Sequence, residues 1–203
     1  MTREWFDRVR KVGLGDTETF EATYDIARLA CDRQIPGDFV ECGVYAGAQI
    51  ALMAQAIIDS GAQGKRVHLF DSFAGLPAAT PEDQEIWAHH GATAGESACS
   101  LPRVHSNLRS FGIPDELLVW HPGWFVDTVY HAIEMPLPTQ LKQIALLRLD
   151  CDLYQSTKDA MRLYSLVSRG GWVVADDWNL TGFRKAVNEM VMPAPIYWRI
   201  PTK

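Results

Sequence analysis

Residues 38–60, DFVECGVYAGAQIALMAQAIIDS, change character once, at their glycines. DFVECGVY is a short apolar run of strand length, and AQIALMAQAIIDS is an amphipathic stretch closed by Gly61. The unit reads as strand, glycine-containing turn and helix. RVHLFDSF (66–73) is a second buried strand, so the opening half has the strand–helix–strand pattern of a right-handed parallel crossover.

Working outward, TETFEATYDIARLACDRQ (17–34) places Phe20, Tyr24, Ala27 and Cys31 at helical spacing, with Asp16 or Thr17 as cap and Pro36-Gly37 as stop. Downstream, LLVWHPGWF (117–125) reads as a third strand, PTQLKQ as a connector and IALLRLD (144–150) as a fourth strand. TKDAMRLYSLVS (157–168) reads as a helix, GGWVVADDW (170–178) as a fifth strand, and GFRKAVNEM (182–190) as a helix. PIYWRI (195–200) reads as a last strand, antiparallel at or near the sheet edge. This alternation predicts an α/β fold: a mostly parallel central sheet with helices on both faces and a C-terminal antiparallel strand. The expected organisation is a single domain over 1–203, with an N-terminal helical segment (1–36) and a lid or substrate excursion (75–114) containing a helix from about Pro102 to Phe111.

Composition narrows the partners. A net charge of −6 with 47% apolar residues fits a soluble globular protein and offers no basic footprint for nucleic acid. No stretch has the length of a membrane span, and the opening TREWFDRVRKVG lacks the apolar core of a secretory signal. Four cysteines, Cys31, Cys42, Cys99 and Cys151, lack CxxC or zinc-like spacing, so the expected location is a reducing cytoplasm. Cys42 and Cys151 read as small buried hydrophobes inside strands.

Chemistry gathers at the strand ends. The first strand closes in Glu41-Cys42-Gly43-Val44-Tyr45-Ala46-Gly47, whose glycines would let a ligand approach the backbone, although the spacing is not GxGxxG. The second strand ends in Asp71, an acid placed to accept both hydroxyls of a ribose. Together they specify an adenosine-containing ligand, either a nicotinamide cofactor or S-adenosylmethionine. Two acidic clusters separate these, Asp150 with Asp152 after the fourth strand and Asp176 with Asp177 after the fifth. Such acids serve elsewhere as caps or turn residues, but two pairs at one sheet edge could share a divalent cation, which a dehydrogenase does not need. Coordination to a dication lowers the pKa of a substrate hydroxyl and fixes it against a methyl donor, so the combination suits metal-assisted methyl transfer to oxygen.

ECGVYAG, LFDSFAGLP, LLRLDCDLYQST, GGWVVADDW, GFRKAV and the closing IYWR occur in order between about residues 38 and 199. This set resembles the macrolide-sugar O-methyltransferases typified by macrocin O-methyltransferase. The resemblance implies a Rossmann-like class I methyltransferase fold, S-adenosylmethionine, a divalent cation (normally Mg2+), and a sugar-bearing natural product as small-molecule acceptor. By the same resemblance Glu41 and the turn from Gly43 through Tyr45 to Gly47 hold the methionine end of the cofactor, Asp71 holds the ribose and Ser72 lies beside it. From their position after the third strand, Gly123 and Trp124 are further candidate cofactor contacts. The implied metal ligands are Asp150, Asp176 and Asp177; Asp152 is the acid left out. Asp150, or a nearby histidine, is the candidate proton acceptor, and a homo-oligomer is implied. Ala48 and Gln49 replace the second glycine and the serine common in the family, and Gln155 stands where a glutamate is common.

Several aromatic and histidine residues have two readings. His89 and His90 are substrate-facing bases or plain loop residues; His121 is an adenine neighbour or part of a turn. Trp124 and Phe125 stack on adenine, line the substrate pocket or pack in the core, and Trp178 is placed at the substrate wall. Arg184 and Lys185 read as solvated. The competing functions are an NAD-type oxidoreductase and an S-adenosylmethionine-binding protein without turnover.

Overall fold

The computed structural model describes residues 1–84, 94–134 and 141–190. The expected last strand, PIYWRI, and the pair His89-His90 lie outside the described residues. Helix α1 (Arg3–Arg10) is capped by the Thr2 side chain, and α2 (Thr17–Asp32) by Asp16, which accepts from the Thr19 N–H. Strand β1 (Asp38–Cys42) leads into α3 (Ala48–Ser60), and β2 is Val67–Asp71. Helix α4 (Leu101–Ser110) precedes β3 (Leu118–Pro122), α5 is Phe125–Glu134, and β4 is Ile144–Leu149. Helix α6 (Tyr154–Ala160), β5 (Val167–Ala175) and α7 (Thr181–Met190) complete the described elements.

The strand order is β3-β2-β1-β4-β5, and every neighbouring pair is parallel. Both faces of the sheet are buried, as crossover helices require. Alternation divides the strand residues between the faces: Phe39, Leu69, Leu146 and Val174 join α1 to α4 in one apolar cluster. Val40, Phe70, Leu147 and Val173 join α5, α6 and α7 in the other. Helix α3 is buried on nearly every side, and its run of alanines lets it sit between the sheet and α2.

The chain between β4 and β5 departs from the expected helix over 157–168. An α-helix forms earlier, at Tyr154–Ala160, and then tightens to a 3-10 segment over Met161–Leu166. Strand β5 begins at Val167, ahead of the glycine pair. Ile144 pairs with Val167 while Leu146 pairs with Trp172, so Gly170-Gly171 lies in a bulge, with Gly170 at φ +80°. Cys151 lies two residues beyond β4, yet is buried as expected.

Candidate active site

Register aligns the carboxyl ends of the strands. Cys42 pairs with both Phe70 and Leu149, and Leu149 pairs with Ala175. The next residues, Gly43, Asp71, Asp150 and Asp176, therefore emerge along one edge, the crevice where open α/β sheets bind ligands. They line a cavity of about 480 Å³, within the range of small-molecule sites. Glu41, Tyr45, Ser72, Gly123, Trp124, Asp152 and Asp177 line it as well.

The turn after β1 is held by backbone geometry. Gly43 has φ +90°, and a Cβ there would overlap the Asp150 carbonyl oxygen. Tyr45 also takes a left-handed conformation, at φ +46°. Asp71 secures this turn: its Oδ2 accepts from the N–H groups of Val44 at 2.7 Å and Tyr45 at 3.2 Å, and its Oδ1 from Phe73 N–H at 2.7 Å. A carboxylate has about four acceptor positions, so Asp71 keeps capacity for a ligand on the cavity side. Ser72 is engaged locally, its hydroxyl donating to Gly75 O at 2.9 Å. The Gly123 N–H donates to Asp71 O at 2.9 Å, and Trp124 beside it is 44% exposed.

Gly47 differs from the other turn residues. It caps α3 at φ +87° and packs toward Val104 and Leu108, outside the cavity lining. His121 is likewise not at the cavity: its Nε2 lies 2.9 Å from His68 Nδ1, and its ring stacks on Phe70. His68 Nε2 in turn lies 3.1 Å from Asp38 Oδ2. Burial, with His68 and Arg66 adding repulsion, pushes His121 down to about 3. Trp178 packs with the apolar cluster under α5 to α7, away from the expected substrate wall. Phe125 both lines the cavity and packs on that cluster. Arg184 is held by the Trp178 and Asn179 carbonyls at 2.9 and 3.0 Å.

The acids gather as the strand tips imply. Asp150, Asp176 and Asp177 each offer an oxygen within 4.8 Å of the others. Asp152 sits at φ +54°, where its N–H donates to Asp177 Oδ2 at 2.8 Å. It supports the group through its backbone N–H, and the residue also lines the cavity. Burial first, then the neighbouring acids, pushes Asp177 well above the usual carboxylate range and Asp152 up to about 7. Asp176 is pushed up to about 6 by burial and Asp150, against the pull of Arg148. Three hard oxygen donors with crowded negative charge form a set suited to Mg2+ or a similar cation.

Arg148, inside β4 and fully buried, was absent from the sequence expectations. Its Nη1 donates to Glu41 Oε1 at 2.9 Å and Asp150 Oδ2 at 2.6 Å, and its Nη2 to Asp176 Oδ1 at 2.6 Å. Although burial opposes its charge, Asp176, Asp150 and Glu41 hold it protonated. Glu41 itself is raised well above the usual range, chiefly by burial. Its second oxygen, Oε2, is buried with no partner among the described residues.

The excursion contributes Leu76, Pro77, Ala78, Thr80 and Ser97 to the lining. Buried Asp83 anchors it, accepting from Thr80 N–H and the Thr80 hydroxyl, each at 2.8 Å, and from Tyr154 N–H at the start of α6 at 2.7 Å. Helix α4, close to its expected bounds, returns the chain to the sheet.

The strand order and the cofactor-type turn beside β1 define a Rossmann-like class I methyltransferase fold. The chain belongs to the macrocin O-methyltransferase (TylF) family, whose model matches residues 17–196. Among its relatives is 8-demethyl-8-(2,3-dimethoxy-alpha-L-rhamnosyl)-tetracenomycin-C 4'-O-methyltransferase of Streptomyces olivaceus, 35% identical over 76% of this chain and 58% of that protein. Demethyldecarbamoylnovobiocin O-methyltransferase of Streptomyces niveus is 36% identical over 71% of this chain and 53% of that protein. The chain thus spans little more than half the length of these relatives. Among solved structures, the O-methyltransferase NovP superposes with a TM-score of 0.73 at 31% identity, over 85% of this chain and 70% of that one. No helix among the described residues is long and apolar enough to cross a membrane.

Proposed function

We propose that the protein is an S-adenosylmethionine-dependent, divalent-cation-dependent O-methyltransferase acting on a hydroxyl of a glycosylated small molecule. The observation that carries this is the meeting, in one cavity, of a glycine turn tied to Asp71 with the Asp150, Asp176 and Asp177 group. Glu41 and the Gly43–Tyr45 turn would hold the methionine end of the cofactor. Asp71 would take the ribose. Gly123 and the exposed Trp124 would border the adenine. Bound S-adenosylmethionine supplies an electrophilic methyl group.

Asp150, Asp176 and Asp177 would hold the cation, which lowers the pKa of an acceptor hydroxyl. Asp150 is assigned as proton acceptor, while Arg148 keeps its carboxylate and that of Asp176 in place. The apolar rim of Leu76, Pro77 and Ala78 would exclude water from the reacting groups. The family and the names of its relatives support a glycosylated acceptor. Calorimetric titration with S-adenosylmethionine and with NAD, followed by a methyl-transfer assay on a panel of glycosylated acceptors, tests the proposal. Binding of the first and methylation of at least one sugar hydroxyl are expected; binding of NAD alone would overturn it.

A further inference from the structure

The loop between α1 and α2 places Gly13, Leu14 and Gly15 on the cavity lining. It is fixed on both sides of Leu14. A Cβ at Gly13 would lie 2.6 Å from Phe20 Cζ and 2.7 Å from Ala48 Cβ, so the backbone there sits flush against α2 and α3. Gly15 turns at φ +116° into the Asp16 cap, whose Oδ1 accepts from the Thr19 N–H and hydroxyl at 2.8 Å each. Leu14 is therefore the one side chain this loop brings to the cavity, and at 63% it is the most exposed large apolar residue among those described. A lone exposed leucine is ordinary on a protein surface. What sets Leu14 apart is its place.

The cavity changes polarity from inside to outside. Its acids are the sheltered part: Asp177 is 8% exposed, and the side chains of Asp176 and Asp150 are 25% and 32% exposed. Its open part is apolar, with Leu14 and Val126 more than half exposed. The excursion adds Leu76, Pro77 and Ala78, none of them buried. No lysine or arginine among the described residues lines the cavity, so nothing there would pair with a phosphate or carboxylate tail. A sugar whose hydroxyl reaches the acids leaves its anomeric substituent at this rim. We propose that Leu14 is a specificity-determining residue that packs on an apolar, uncharged aglycone attached to the methylated sugar. The assignment rests on the acceptor reading given under the proposed function and adds to it the chemistry of the group beyond the sugar.

The test uses the sugar that the wild type methylates in the acceptor panel, prepared as its methyl and its 2-naphthyl glycoside. The wild type should turn over the naphthyl glycoside with a kcat/KM about 10-fold higher, chiefly through KM. Leu14→Ser should lower that value by roughly 5- to 30-fold, the range for one aliphatic side chain leaving an apolar contact, and leave the methyl glycoside within about twofold. Leu14→Ile keeps the apolar surface and should retain the wild-type preference. The melting temperature and S-adenosylmethionine affinity of Leu14→Ser should match the wild type, because the side chain already stands mostly in solvent and carries no polar atom. Equal loss on both glycosides, or a wild type that does not prefer the naphthyl glycoside, would overturn the assignment. Unchanged kinetics in Leu14→Ser would overturn it too, and a lower mass of that variant in light scattering would then place Leu14 against a second copy of the chain. Failure of the wild type to methylate any glycosylated acceptor would overturn the acceptor reading and this assignment with it.

Discussion

Arg148 and Glu41 face each other on neighbouring strands with Nη1 and Oε1 2.9 Å apart, each side chain 1% exposed. Register explains the meeting, since Glu41 pairs directly with Arg148 across β1 and β4. The same guanidinium holds Asp150 and Asp176 at 2.6 Å each. The acid proposed for the cofactor and two acids proposed for the metal thus share one internal cation.

Replacing Arg148→Met should leave buried Glu41 and the partly exposed Asp150 and Asp176 without their cation. Breaking one side of a buried ion pair costs roughly 3–5 kcal/mol, more than the added apolar surface returns. Urea denaturation in EDTA should show that loss, and Mg2+ should recover part of it. A midpoint equal to wild type would mean the guanidinium contributes only local packing.

Stability of the metal-free protein should fall as the solution becomes alkaline. Asp176 and Asp152 are raised to about 6 and about 7, so the folded state keeps protons that the unfolded chain has released. Their contribution is present at low pH and is lost as pH rises through those values. His121, lowered to about 3, acts in the opposite sense, its contribution falling away as pH drops below the unfolded value. Above about pH 6.5, where an unperturbed histidine is mostly neutral, the acids dominate. Melting temperature in EDTA should decline from there toward about pH 8, and added Mg2+ should raise it more at the upper end. An Mg2+ increment independent of pH would contradict this.

The turn after β1 tolerates no side chain at its first glycine. Gly43→Ala forces a Cβ against the Asp150 carbonyl at φ +90° and should cost roughly 1–3 kcal/mol in backbone strain alone. It should also weaken cofactor binding, because Val44 and Tyr45 carry the amides that meet Asp71. Wild-type stability and affinity in this variant would show that the contact relaxes without consequence.

Asp83 ties the lining residue Thr80 to the start of α6. Asp83→Ala removes three hydrogen bonds from a buried acid and should destabilise by about 1–3 kcal/mol. Steady-state kinetics should show a raised KM for the acceptor with little change in cofactor affinity. The reverse pattern would place this segment at the cofactor.

The parallel sheet and its five strands were legible because both buried faces leave short apolar runs bounded by glycine, proline or acids. Asp150, Asp176 and Asp177 were legible for a related reason, since an acid immediately after such a run must sit at a strand tip. The helix after β4 was misplaced because Met161, Leu163, Tyr164 and Leu166 follow an apolar pattern that a 3-10 turn satisfies as well as an α-helix. The bulge at Gly170-Gly171 depends on register, which no local pattern encodes. Arg148 did leave a signal: a charge inside IALLRLD must find a partner, and DFVEC holds the matching lone acid.

The most direct test of a cation-dependent methyl transfer is the reaction of labelled S-adenosylmethionine with a glycosylated acceptor in protein stripped with EDTA, followed by titration with Mg2+, for the wild type and Asp176→Asn. Negligible transfer by the stripped wild type, saturable recovery with Mg2+, and weakened or absent recovery in Asp176→Asn with cofactor affinity retained are expected. Full transfer in EDTA, or equal recovery by the variant, would contradict it.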